Sequence, residues 1–411
     1  MPVPMEMTLP SDGNATGRDL GNEELALLEK VIASGVLNCT RGTQVRAFEE
    51  EFAERLGSAT CRAVTSGTAA VHAAIAAIDP EPGDEIITTP ITDMGAIAPI
   101  LYQQAIPIFA DVDPLTLNVT PATIERKITP RTKAIIATHL FGLPCEMDAI
   151  VELAHARGIP VIEDAAQAFL AESSGRQVGT IGDIGCFSFQ QGKHLTTGEG
   201  GAVVTSNPEL ARRMRLFSDK GWGYGDSRPD HYFLALNYRM TDLQGAVARA
   251  QLAKLDGVVE RRRSSAARLS ELLGDLPGLA RPGDPAGGRH SYWKYPLVID
   301  QTVYSAGPDG VGAELARHGI QSAPRYVKKL AFECEVLAER RTYGKSQCPF
   351  SCRERAGDAP IVYRREEYPG AIEALDRVLV LPWNEFYTNE HVVFIAERVK
   401  DAVAQVRRHS D

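Results

Sequence analysis

Between residues 57 and 245, short apolar runs alternate with longer stretches of helical periodicity. Seven runs stand out: CRAVTS, DEIITTP, IPIFADV, KAIIATHL, IPVIEDA, IGCFSF and GGAVVTS. They are near-continuously apolar rather than alternating, which predicts strands covered on both faces. Stretches between them, such as TAAVHAAIAAI and EMDAIVELAHARG, carry apolar residues at helical spacing. This alternation predicts an α/β fold with a large domain built on a mostly parallel seven-stranded sheet flanked by helices. In such sheets ligands collect beyond the carboxyl ends of the strands.

The pattern differs at either end. NEELALLEKVIASG places Leu25, Leu28, Val31 and Ile32 at helical spacing and stops at Gly35. VRAFEEEFAERLG carries the stripe Val45, Phe48, Phe52 and Leu56 and stops at Gly57. LQGAVARAQLAKLDGVVERRRSSAARLSELLG reads as one long helix or two ending near Gly274, with Arg261, Arg262 and Arg263 on a solvated face. The Pro/Gly-rich LPGLARPGDPAGGRH marks a boundary, and beyond it strands and helices mix. The expected division is a large domain over 20–255 and a smaller α+β C-terminal domain over 256–411, with an irregular insert at about 340–368.

Composition narrows the function classes. The chain has 411 residues, 44% of them hydrophobic, and a net charge of −9. That charge disfavours non-specific nucleic-acid binding. No apolar run reaches the roughly 18 to 20 residues of a membrane span. The start, MPVPMEMTLPSDGNATG, has neither a basic nor an apolar leader region. A cytoplasmic protein with no nucleic-acid or membrane partner is expected. Seven scattered cysteines give an odd count and no disulfide framework. Cys348-x-x-x-Cys352, with Cys334 upstream, has no histidine cluster beside it, so reduced thiols are preferred to a metal site.

Four segments carry candidate chemistry. Ser66-Gly67-Thr68 opens the helix TAAVHAAIAAI, where free N–H groups suit a phosphate, although Ser66 or Thr68 equally suits an N-cap. IPVIEDAAQA ends a buried strand in Glu163 and Asp164, followed by Gln167. Asp164 at that strand end can hold a protonated ring nitrogen, or cap the next helix. CFSFQQGKHLTTGEGG sets Ser188 five residues before Lys193, ahead of the glycines 198, 200 and 201. A lysine in a desolvated setting can be neutral and form an imine with an aldehyde. LNYRMTDLQGAV puts Asn237 and Arg239 just before the long helix, an amide donor and an anion fork.

In this order, the segments resemble the pyridoxal 5'-phosphate (PLP) enzymes of the aspartate-aminotransferase type, and more narrowly the DegT–StrS sugar aminotransferases. The resemblance runs from about residue 20 to the C-terminus on FEEEFAERLG, SGTAAVHAAI, DVDPLTLNV, THLFG, IEDAAQA, FSFQQGKHLTTGEGG and NYRMTDLQGAV. It implies a PLP type I fold, with Lys193 holding PLP covalently and Asp164 facing the pyridinium nitrogen. It further implies Gln167 beside the ring and Gly67, Thr68 and Ser188 on the phosphate. Asn237 would reach the phosphate of a neighbouring subunit, so the expected assembly is a homodimer with shared active sites. Met94, in PITDMGAIAP, stands where the family has an aromatic residue over the ring. The expected reaction moves an amino group from glutamate or glutamine, through pyridoxamine 5'-phosphate, to a keto sugar or cyclitol-like ketone. Amino-sugar or antibiotic biosynthesis is the expected setting. Arg239, Arg325 and Tyr326 are candidate substrate contacts, His139 is a candidate lining residue, and the insert is expected to shape the pocket. A PLP lyase acting on an amino acid and a non-catalytic PLP-binding regulator are the alternatives.

Overall fold

All seven apolar runs become strands of one sheet in the computed structural model, which describes residues 7–281, 283, 284, 287–355, 357 and 359–407. They are β1 (Thr60–Val64), β2 (Glu85–Thr88), β3 (Ile106–Phe109), β4 (Thr132–Thr138), β5 (Val161–Asp164), β6 (Ile184–Ser188) and β7 (Gly201–Thr205). The order is β1-β7-β6-β5-β4-β2-β3. In it β7 runs antiparallel to both neighbours, and β6, β5, β4, β2 and β3 pair in parallel. The carboxyl ends of β1, β5 and β6 therefore open on the same edge.

Helices cover the sheet. α1 (Asn22–Ser34) and α2 (Gln44–Leu56) precede it, α3 (Gly67–Ile78) follows β1, and α4 (Met147–His155) precedes β5. Val45, Phe48, Phe52 and Leu56 of α2 are buried as their spacing requires, and Gly57 ends the helix with a left-handed cap. Removing a ring such as that of Phe52 costs about 3–5 kcal/mol. α3 is rich in alanine and buried almost throughout, which brings its N-terminus close against β6. A Cβ at Gly67 would lie 2.7 Å from that of Ser188.

The long pattern after residue 240 is one helix, α5 (Asp242–Leu273), opened by a Thr241–Gln244 capping box and followed by Gly274. Beyond it β8 (Leu279–Ala280), β9 (Lys294–Ile299), β10 (Ala323–Pro324) and β11 (Val378–Pro382) form a second, antiparallel sheet ordered β8-β9-β11-β10. A separate apolar cluster, including Trp383 and α6 (Asn389–Gln405), packs on this sheet.

Two expectations need correction, and the apolar stripe of α1 is only partly buried. In α1, Leu25 and Ile32 are 64% and 63% exposed. Glu24 takes a buried position there instead, held by Gln251 and Lys254 of α5 and by the Gly21 N–H. The Arg261–Arg263 triplet is not a solvated face: Arg262 is fully buried against Glu385 and Asp12, and Arg263 donates to the carbonyls of His290 and Leu170. Cys348 and Cys352 are joined as a disulfide rather than free thiols. Among the described residues no group of metal-ligating side chains is present. The insert packs its Phe350, Tyr363 and Tyr368 with Phe332 around Phe109 at the edge of the large sheet. No helix among the described residues is long and apolar enough to cross a membrane.

Candidate active site

A cavity of about 400 Å³ lies at the carboxyl ends of β1, β5 and β6. Its wall includes Gly67, Thr68, Asp164, Gln167, Ser188, Lys193 and Tyr326. Segments more than 120 residues apart in sequence are thus brought to one space by the parallel strand order.

Asp164 closes β5. Its Oδ1 accepts from the Ala166 N–H at 3.1 Å, so the capping role considered for it is partly real. Its Oδ2 makes no hydrogen bond among the described residues. Burial pushes its carboxyl above the ordinary range, opposed by that backbone N–H and by the charge of Lys193. An isolated buried carboxylate is costly unless a cation meets it.

Lys193 sits on a turn whose N–H donates to the Gln190 carbonyl. Its Nζ lies 4.0 Å from the centroid of the Trp293 ring and forms no ion pair among the described residues. Burial lowers its pKa from 10.5 to about 8, with Asp164 opposing and the nearby Lys294 assisting. The neutral amine that nucleophilic and base chemistry require is therefore about a tenth of the total at pH 7, far more than for an ordinary lysine. The chain returns from this turn into β7 through Gly198, in the left-handed region, and Gly201, where a Cβ would lie 2.4 Å from the Ser66 carbonyl oxygen.

Ser66 is the N-cap of α3, its Oγ accepting from the Ala69 N–H at 3.0 Å. Thr68 Oγ1 makes no hydrogen bond among the described residues, and Ser188 is buried beside Gly67. Together with the N-terminus of a 12-residue helix they form an anion cradle. The Gln167 amide is fixed by accepting from the Phe141 N–H at 2.7 Å, and Tyr326 lines the same cavity. An amine of lowered basicity, a carboxylate with a free oxygen and a hydroxyl-lined helix start fit the aldehyde, ring nitrogen and phosphate of PLP.

Other expected residues lie elsewhere. Met94 is not among the residues lining the cavity; it packs against the main apolar cluster, while its neighbours Asp93 and Gly95 face the space. Arg325 pairs with Asp309 and Asp376 outside the cavity. Arg239 is engaged by Asp219, and Asn237 is exposed on the same segment. His139 is a core residue: its Nδ1 accepts from the Cys145 N–H, so Nε2 carries the proton and donates to Glu163 at 3.0 Å. The insert lines a separate depression of about 430 Å³, which includes Arg340, Ile361 and Tyr363, and contributes nothing to the Lys193 cavity among its described residues.

Sequence reasoning missed Trp293, Asp93 and Glu199, which also line the cavity. Trp293 lies in YWKYPLVID, whose pattern signals a strand and nothing more.

Known proteins share this architecture. The DegT/DnrJ/EryC1/StrS aminotransferase family matches residues 18–356. The GDP-perosamine synthase of Caulobacter vibrioides is 36% identical over 319 residues, covering 77% of this chain and 84% of that protein. The spore coat polysaccharide biosynthesis protein SpsC of Bacillus subtilis is 38% identical over 291 residues, covering 69% and 74%. Among solved structures, the aminotransferase TlmJ from Streptoalloteichus hindustanus matches with a TM-score of 0.79 at 31% identity, over 95% of this chain and 98% of that one.

Proposed function

Since the chain belongs to the DegT/DnrJ/EryC1/StrS aminotransferase family and has the type I fold of its PLP enzymes, we propose that it moves an amino group from glutamate or glutamine to a keto sugar or a cyclitol-like ketone. The observation that carries this reading is the convergence of Lys193 and Asp164 on one cavity with the anion cradle of α3. PLP supplies an electron sink conjugated to the amino-bearing carbon of the substrate. The chain supplies the rest. Asp164 keeps the ring nitrogen protonated, and that positive charge relieves the cost of its own burial. Thr68, Ser188 and the first N–H groups of α3 hold the phosphate, while Gln167 sits beside the ring. Lys193, neutral in the fraction set by its pKa of about 8, would take a proton at Nζ from the donor's α-carbon and pass it to the carbon that was the cofactor's aldehyde, the net shift that amino transfer requires.

The working unit in this reading is a homodimer. Lys193 is the sole lysine or arginine among the described residues lining the cavity. A cofactor phosphate and a donor carboxylate bring more negative charge than one amine balances. Asn237 and Arg239 lie on a segment where Leu234 is 95% exposed and Leu236 44% exposed. Burying those leucines against a second copy would carry Asn237 towards its cavity. The similarity to a GDP-perosamine synthase supports a sugar acceptor.

The test is spectroscopic. Protein loaded with PLP should absorb in the visible and convert to the pyridoxamine form on adding glutamate or glutamine, and a keto sugar should reverse the change. Product formation from an amino acid without accumulation of the pyridoxamine form would establish a lyase instead. No response to any donor would leave the non-catalytic regulator.

A further inference from the structure

The turn carrying Lys193 is tied at three consecutive residues to parts of the chain outside the large sheet. Gln191 Nε2 donates to the Asp12 carbonyl at 3.0 Å, and Trp293 Nε1 donates to the Gly192 carbonyl at 2.7 Å. Arg18 Nη1 donates to the carbonyl of Lys193 itself at 2.7 Å. The Arg18 side chain is 2% exposed and forms an ion pair with Asp12 at 2.8 Å.

Asp12 is a shared anchor. Arg262 reaches it at 3.1 Å, Lys294 at 3.5 Å, and the Asn384 amide donates to it. Arg262 in turn holds Glu385 at 2.6 Å and the Trp293 carbonyl at 3.2 Å. The N-terminal segment is packed closely here: a Cβ at Gly17 would lie 2.5 Å from the Ser11 backbone and 2.6 Å from the Asn384 amide. A continuous charged network therefore runs from the backbone of the reactive lysine to the second sheet.

We propose that Arg18, oriented by Asp12, is a positioning residue for the transfer reaction, clamping the Lys193 carbonyl so that the ε-amine is held against the cavity. This rests on Lys193 being the reactive amine. The geometry favours a positioning role because the clamp acts on the carbonyl of that residue and on no cavity-facing atom. A reactive group displaced by about 1 Å loses on the order of 10²-fold in rate.

The experiment compares the purified full chain with Arg18→Met, Arg18→Lys, Gln191→Ala and Lys193→Ala, all loaded with PLP. It measures the single-turnover rate with donor, the donor KM and the thermal midpoint. Arg18→Met should lower the rate by about 30-fold with KM changed by less than about threefold, and Arg18→Lys should recover part of the loss. Arg18→Met and Gln191→Ala should be non-additive in the double variant, since both loosen the same turn. A lowered thermal midpoint with the rate within about threefold of wild type would make Arg18 purely structural and overturn the proposal. If Arg18→Met does not fold, Gln191→Ala decides: a rate loss with donor KM held supports the clamp, and an unchanged rate overturns it. Lys193→Ala separates the two levels, because full turnover by that variant would sink the underlying reading rather than the clamp alone.

Discussion

Glu163 and Asp164 are neighbours on β5, yet the two faces of that strand treat them oppositely. Glu163 is fully buried and saturated: its Oε2 meets His139 and the Gly179 N–H, and its Oε1 meets the N–H groups of Ile181 and Gly182. Asp164 lines the cavity, with one backbone donor on Oδ1 and no hydrogen bond to Oδ2 among the described residues. The same division extends outwards. Thr68 and Lys193, on the cavity side, lack polar side-chain partners among the described residues, whereas Arg262, behind it, is fully engaged. Buried polar groups in a folded chain are normally satisfied, so a buried carboxylate with spare capacity in a cavity wall, as at Asp164, is placed for a ligand to complete its set. On β5 the saturated carboxylate belongs to the scaffold, and the incomplete one lines the cavity.

Substitutions on the two faces should therefore fail in different ways. Lys193→Ala should lose the visible absorption of the bound cofactor and reduce turnover by at least about 10³-fold. Asp164→Ala should weaken cofactor retention and lower the rate by about 10²-fold, with the folded state retained. Equal losses from Glu163→Gln would erase the distinction. Glu163→Gln should instead lower unfolding free energy by about 2 kcal/mol or more, measured by denaturant titration, because backbone donors lose a charged acceptor. Its effect on turnover should stay below about tenfold.

The pH dependence sharpens the same contrast. Burial lowers the Lys193 pKa to about 8, so its neutral fraction grows as pH rises through that value and levels off above it. Acylation of the apo protein, followed residue by residue by mass spectrometry, should show this plateau for Lys193. Exposed lysines should still be gaining reactivity near pH 10. The smallest effect is expected away from the site. Reducing the Cys348–Cys352 disulfide, or Arg325→Ala, should change turnover by less than about twofold, since neither faces the cavity.

The large sheet was readable from the chain because strands buried on both faces leave continuous apolar runs, and all seven did. That Lys193, Asp164, Gln167, Ser188, Gly67 and Thr68 share one cavity was readable because each lies at or just beyond an end of one of those strands. Trp293 and Arg18 were not, since they reach the lysine turn across about 100 and 175 residues of sequence through single hydrogen bonds that leave no periodicity. Arg262 misled for a related reason: a charged triplet on a helix looks solvated until Asp12 and Glu385 are seen to neutralise it. Met94 lies between the lining residues Asp93 and Gly95 and packs against the main apolar cluster.

The most direct test is to treat the PLP-loaded protein with borohydride, digest it and locate the pyridoxyl group by mass spectrometry. The account predicts a single modified residue, Lys193, and none in Asp164→Ala samples that have lost their cofactor. A pyridoxyl group on Lys294 or any other lysine, with Lys193 unmodified, would contradict it.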